Sequence, residues 1–347
     1  MKILMTGAGA PGGPGIIKAI KYDSSIDLHV CDANPQASGR FLSPDTFHLV
    51  PHSSDDNFIS RVIDICLQNN INYIFPLVTS ELPKFSLHKK LFITNGIYPI
   101  VSSISDLNIA NDKGKLYQHL IDNGIAVPDF RVVSCLDEFI SAIHHLNYPN
   151  SPVVMKPCIG NGSRGVRVIN ENINHFDLLF NYKPSSLVAN LNDLISAMSN
   201  QKLPKLVVSE FLPGPELTID SIVKGGCVLD LLIRRRSTIN SGISVSGTFI
   251  INNDVEKYIC DIVKTLPGLE GPIGFQVKQS SSGEYRLLEC NPRIQGTSVS
   301  ALGLGVNLPL RSIYNAAGEK SVPLVQRDGV SFCRYYSEVF YDTSLFN

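Results

Sequence analysis

The chain has 347 residues, 44% of them hydrophobic and 18% charged, a length that suits two or three domains with buried cores. With 30 basic residues against 31 acidic ones the formal charge is −1, so no global field draws the protein to nucleic acid or to an anionic membrane. No apolar run approaches transmembrane length, and the N-terminal KILMTGAG meets glycine too early for a secretory core, so a cytoplasmic location is expected.

Residues 2–6, 28–31 and 73–78 are short apolar runs that alternate with helix-like stretches at 15–22 and 55–69, the pattern of a βαβ unit with a parallel sheet. Between the first strand and helix lies MTGAGAPGGPG, in which Gly7, Gly9 and Gly12 spell a dinucleotide fingerprint. Asp32 follows the second strand, where a ribose-binding acid would stand. Two readings are open. One is a nicotinamide or nucleotide-sugar site; the other is a tight strand-to-helix turn, with Pro14 at the helix start, that walls an interdomain cleft and offers N–H groups to an anionic substrate.

A second unit begins near Asn111, where NDKGKLYQHLIDNGIAVPDFRVV predicts an amphipathic helix, a stop at Gly124 and then a strand. Strand-like runs follow at 153–156, 166–169, 206–211, 217–223, 228–235, 274–279 and 285–290, joined by several hairpin turns and expected to pair antiparallel. The polar stretch 171–205, with one helix in SSLVANLNDLISAMSN, reads as a link between two lobes. The expected divisions are therefore 1–110, 111–205 and 206–347.

The eight cysteines stand singly, with no CxxC pair, and read as reduced, mostly buried and inert. All eight histidines fall at or before position 175, so a site in the second half works without imidazole, and the pair His144-His145 reads as a solvated helix face.

Three motifs carry chemistry. The run 153–157 is a strand ending in Lys156, and it leads through Gly160, Asn161, Gly162, Ser163 and Gly165 to another strand. Such a loop either folds its N–H groups over a polyphosphate while the lysine neutralises charge, or is simply a mobile hairpin. Next, an apolar strand breaks off at Glu210, followed by Phe211, Leu212 and, after a Pro-Gly turn, Glu216. Third, the strand 274–277 forms a hairpin with 287–293, so Glu289 and Asn291 share a face and Gln276 lies opposite. Hard oxygens on one face suit Mg²⁺, and Arg293 just beyond suits a phosphate; the alternative for Glu289 is a half-buried carboxylate paired with Arg293 or Arg286. The run Arg234, Arg235, Arg236 closes a strand and is either a substrate-carboxylate or phosphate contact or a basic strand end in solvent.

Taken in order, NDKGKLY, VVMKPCIGNGSRGV, VVSEFLPGPELTID and LLECNPRIQGTS resemble the ATP-grasp superfamily, and within it the carbamoyl-phosphate-synthase-like branch with a single half. The resemblance implies a Rossmann-like α/β pre-ATP-grasp domain followed by a two-lobed α+β ATP-grasp fold. It implies that Lys113 and Lys156 contact the ATP phosphates and that the loop Gly160–Gly165 closes over them. Glu210, Phe211 and Leu212 then line the adenine pocket and Glu216 takes the ribose hydroxyls. Gln276, Glu289 and Asn291 hold Mg²⁺, with Mn²⁺ as the alternative ion, and Arg293 takes the transferred phosphoryl group. Arg234 and Arg236 are assigned by the same likeness to substrate carboxylate or phosphate. The implied activity is an ADP-forming carboxylate–amine ligase, with an amino acid or amino sugar as one partner and a homodimer as the assembly. Two other readings stand beside it, a Rossmann enzyme using NAD or a nucleotide sugar and a non-catalytic ATP-binding module. Ser244 stands near a position where carbamoyl-phosphate synthases carry histidine, and those longer proteins have two halves and a glutaminase partner; the single half here speaks against bicarbonate-plus-ammonia chemistry.

Overall fold

The computed structural model describes residues 1–160, 164–181, 187–240, 242–319 and 322–342. Three sheets organise them. Strands β1 (Lys2–Thr6), β2 (Asp27–Asp32), β3 (Phe47–Leu49), β4 (Tyr73–Phe75) and β5 (Tyr98–Pro99) form a parallel sheet in the order β3-β2-β1-β4-β5. Alternate residues of β1 supply cores on both faces: Ile3 and Met5 join Ile16, Ile17 and Ile20 of helix Gly13–Ile20, while Leu4 joins Phe58, Val62 and Ile65 of helix Phe58–Asn69. The strand expected over 73–78 stops at Phe75, because Pro76 has no N–H to give to a ladder.

The second sheet contains β6 (Phe130–Val133), β7 (Val153–Pro157), β8 (Arg167–Ile169), β9 (Val188–Ala189) and β10 (Leu206–Glu210), in the order β6-β10-β7-β8-β9. Its pairs are antiparallel except β8 with β9. Helix Leu136–His145 covers one face with Phe139, Ala142 and Ile143, leaving His144 and His145 exposed as expected. Within 171–205, β9 extends this sheet and Leu191, Leu194 and Met198 pack on its core. β10, just past the expected division at 205/206, lies between β6 and β7 in the same sheet.

The third sheet is antiparallel, built from β11 (Glu216–Lys224), β12 (Cys227–Asn240), β13 (Ile243–Ile250), β14 (Gly271–Gln279), β15 (Tyr285–Asn291) and β16 (Ser331–Cys333), in the order β15-β14-β11-β12-β13-β16. One face packs Leu217, Ile219, Phe275 and Val277 against Ile259 and Ile262 of helix Asn253–Thr265 and Leu116 and Leu120 of helix Lys113–Asp122. The other face packs Ile222, Leu232 and Phe249 under Ala301, Leu304 and Leu308.

The first unit is fastened to the third sheet. Glu270 accepts hydrogen bonds from Lys89 Nζ at 2.6 Å and from the Tyr98 hydroxyl, and Gly268 N–H donates to Asp106 at 2.7 Å. Gly268 is needed for that approach: a Cβ there would lie 2.1 Å from Ser103 Oγ. Cys31, Cys66, Cys158 and Cys290 are buried, and burial pushes the Cys66 thiol up to about 12. Cys135, Cys227 and Cys333 are exposed, so burial holds for fewer of the cysteines than expected.

Candidate active site

The first unit, the third sheet and Arg164 of the β7–β8 loop border a cleft of about 260 Å³ whose walls include Gly12, Arg236, Gln276, Glu289, Asn291 and Arg293. Its floor is the β14–β15 hairpin, in which Gln276 faces Glu289 across the ladder. Asn291 Nδ2 donates to Glu289 Oε1 at 3.0 Å, confirming that the two side chains share a face.

Two lysines reach the same edge from different elements. Helix Lys113–Asp122 begins at Asp112, whose carboxylate accepts Lys115 N–H at 3.1 Å as an N-cap. That start sets Lys113 and Tyr117 one turn apart on one helix face. Lys113 Nζ lies 3.5 Å from Glu289 Oε2 and donates to Gly160 O at 3.2 Å. Lys156 comes from β7, whose Val153 and Met155 alternate into the second-sheet core. Its Nζ donates to Tyr117 Oη at 2.8 Å and to Leu288 O at 3.0 Å, and the Tyr117 hydroxyl donates to the same carbonyl at 2.9 Å. Both lysines therefore touch the strand that carries Glu289.

Burial and then the neighbouring Lys113 cation lower the Lys156 ammonium to about 7, against the partial relief of Glu289 and Glu216. Burial pushes the Tyr117 phenol far up, so it stays protonated. Arg293 is lowered by burial and supported by Glu289; its Nε donates to Thr79 Oγ1 at 3.0 Å and its Nη1 to Ile294 O at 2.8 Å.

The other expected residues divide. Glu210 Oε1 accepts Asp129 N–H at 3.0 Å, Phe211 lies 4.6 Å beneath Lys278 Nζ, and Leu212 is buried at the seam between the sheets. Gly165 has φ +73° and turns the chain back against Pro157 into β8. Asn161, Gly162 and Ser163 lie outside the described residues.

Glu216 is paired with Arg236, which also donates to Ser244 Oγ at 2.9 Å, Gly242 O at 2.6 Å and Gln276 Oε1 at 3.3 Å. Arg236 thereby fixes the metal-candidate Gln276. Arg234 stands apart from the cleft. It is 1% exposed, ion-paired to Asp220 at 2.6 Å, and does not line the cleft. Ser298 Oγ and Gln295 Nε2 also donate to Asp220, closing a buried network.

The opening glycines lie on the cleft wall. Gly12 packs so closely on Gly296 that a Cβ would sit 2.2 Å from its Cα. Asp32 accepts Gly9 N–H at 2.7 Å and Asn34 N–H at 2.8 Å, so its carboxylate caps the turn rather than awaiting a ribose, and the dinucleotide reading loses its anchor. Tyr117 and Arg334 were not foreseen. Tyr117 could have been found from its spacing to Lys113; Arg334, one residue past the last strand, carries no motif.

A family model described as ATP-grasp in the biosynthetic pathway with Ter operon matches residues 202–335, and one described as PylC-like, N-terminal domain, matches 3–100. An ADP complex of N5-carboxyaminoimidazole ribonucleotide synthetase is similar in structure with a TM-score of 0.68 at 14% identity, covering 92% of this chain and 77% of that one. An L-amino acid ligase from Bacillus licheniformis gives 0.65 at 16% identity over 91% and 73% of the two chains. Biotin carboxylase from Campylobacter jejuni gives 0.66 at 17% identity over 93% and 72%. The chain thus has the ATP-grasp fold, with an ATP-grasp match over 202–335 preceded by a PylC-like N-terminal match over 3–100.

Proposed function

We propose that the protein is an ATP- and Mg²⁺-dependent ligase that converts a small-molecule carboxylate to its acyl phosphate and passes the acyl group to an amine, releasing ADP and phosphate. The observation that carries this reading is the meeting of Lys113 and Lys156 at the strand bearing Glu289 and Asn291, with Arg293 alongside. Similar structures support it: one holds ADP, and the biotin carboxylase domain of a Hydrogenobacter thermophilus 2-oxoglutarate carboxylase holds MgADP and bicarbonate.

The donor set fits a hard cation. Glu289, Asn291 and Gln276 offer carboxylate and amide oxygens from adjacent strands on one cleft wall, without sulfur or imidazole among them. Mg²⁺ held by these residues, or Mn²⁺ in its place, would neutralise phosphate charge and orient the transferred group. The chain's own residues do the rest. Lys156 and Lys113 bind phosphate oxygens, and Tyr117 holds the Lys156 head in place. Arg293, held by Thr79 on the cleft wall, would offer its fork of donors to the transferred phosphoryl group. Phosphoryl transfer needs positioning and charge neutralisation rather than a protein nucleophile, which agrees with a histidine-free site.

Incubation with MgATP and pools of small acids and amines should release ADP only when both an acid and an amine are present. ATP turnover that is indifferent to every acid would overturn the reading.

A further inference from the structure

The charges on the cleft wall do not balance. Glu216 is committed to Arg236 and Glu289 to Lys113. Among the described residues, Arg164, Arg293 and Arg334 line the same cleft and enter no ion pair. Arg164 is exposed on the β7–β8 loop, whereas Arg293 and Arg334 reach from the ATP-grasp domain to the N-terminal domain. Arg293 is tied to Thr79 just beyond β4, and Arg334 Nη2 donates to Pro11 O at 3.4 Å in the opening turn.

Arg334 is placed by a short edge strand. β16 pairs with β13 through Ser246 and Cys333, and Arg334 N–H continues the ladder to Val245 O at 2.8 Å. Its half-buried guanidinium shares the region of the buried Arg234, whose carboxylate partner Asp220 is already used by Arg234, Ser298 and Gln295. Burial disfavours the Arg334 cation most, Tyr336 partly offsets this and the like charge of Arg234 adds to it, a net cost that an incoming anion reduces. Thr297 supplies a hydroxyl on the same wall.

Resting on the ligase reading, we infer that the activated acid carries a second anionic group, a carboxylate or a phosphate, and that Arg334 at the N-terminal-domain end of the cleft binds it and sets specificity. The reacting carboxylate then lies toward Arg293 and Glu289, and the second anion lies toward Pro11 and Arg334. The opening glycines serve this end by letting the turn approach the 295–297 segment without side chains between them.

The test uses the full chain with MgATP and hydroxylamine, so the native amine need not be known. A carboxylate oxygen attacks the γ-phosphorus and ADP leaves; hydroxylamine nitrogen then attacks the acyl carbon, phosphate leaves, and the nitrogen loses a proton to give a hydroxamate. Length-matched acids are compared: succinate with butyrate, glutarate with valerate, and phosphoserine with serine. The doubly anionic members should give hydroxamate at least about tenfold more efficiently, and the dicarboxylate and phosphoserine arms tell which second anion is preferred. Arg334→Gln should raise the KM of the preferred dianion about 10- to 100-fold, the loss of one charge-assisted contact, with kcat and the KM for ATP within about twofold. Arg334→Lys should recover part of that loss, and it carries the test if the glutamine variant fails to fold. Equal efficiency within every pair, or a variant effect that falls equally on singly and doubly charged acids, overturns the inference and leaves the ligase reading standing. Absence of hydroxamate and ADP with every acid overturns both.

Discussion

Lys156 Nζ donates to the carbonyl of Leu288 at 3.0 Å, so the lysine that ends β7 is fixed to the residue next to Glu289 on β15. The contact joins the second and third sheets at the point where phosphate and metal would meet. Because no carboxylate among the described residues lies within an ion-pair distance of Lys156, its charge is undercompensated until an anion arrives. Lys156→Met should therefore cut turnover by about 10² to 10³, the scale for removing one preorganised donor, while leaving thermal stability equal or higher. Activity assays and calorimetry on the same preparation check both halves.

The same lysine gives a pH signature. Its folded pKa is depressed to about 7 from an ordinary 10.5, so between those values the unfolded chain holds a proton that the folded one has shed. This contribution makes stability rise with pH across that window and is flat below it. Bound phosphate favours the charged form, so ATP binding near pH 8 should take up a proton, and affinity should weaken as pH rises above about 7. Calorimetric titration in two buffers of different ionisation enthalpy reads the uptake, which Lys156→Met should abolish.

Tyr117→Phe removes the hydroxyl that accepts from Lys156 while keeping the ring that lies 5.1 Å from its Nζ. A fall in kcat of about tenfold is expected, with one neutral hydrogen bond's worth of positioning lost and little change in melting temperature. Steady-state kinetics with a nucleotide-induced thermal shift as the folding control decide it.

Asp220→Asn should cost about 3–5 kcal/mol, because it leaves the Arg234 charge buried without its partner. Replacing both, Asp220→Asn with Arg234→Met, should recover much of the loss. Denaturant unfolding of the three proteins measures this, and recovery would identify the pair as structural rather than substrate-binding.

Glu81 offers an opposite pH dependence in the N-terminal domain. Burial pushes its carboxyl up to about 7 from 4.5, partly offset by the Thr6 hydroxyl and reinforced by Asp32. Between 4.5 and 7 the folded state keeps a proton that the unfolded state releases, so this contribution is fully present below 4.5 and is lost as pH rises through 7. Glu81→Gln should raise the melting temperature at pH 8 more than at pH 5.

Much of the site was legible because strand parity and hairpin register are local. Gln276, Glu289 and Asn291 face one another as their two-residue spacing requires. Parity also set Arg234 and Arg236 on a common face, yet it could not say what covers that face. Phe332 lies against Arg234 and Ser298 binds its partner Asp220, while Arg236 opens to the cleft. Sheet membership was equally out of reach for β10, since an apolar run of five residues reads the same whichever sheet it joins. Arg334 depends on a pairing between β13 and β16 that spans more than 80 residues and leaves no local pattern.

The most direct measurement is positional isotope exchange in ATP labelled with ¹⁸O at the β–γ bridge, followed by nuclear magnetic resonance with acid present and amine withheld. Reversible acyl-phosphate formation lets the freed β-phosphate of bound ADP rotate, so the account predicts acid-dependent scrambling of the label in the wild-type protein. Lys156→Met and Glu289→Gln should both suppress it. Net ADP release in the presence of an acid and an amine, without any scrambling in the acid alone and with both variants fully active, would contradict the placement of phosphoryl transfer at the Lys156–Glu289 edge.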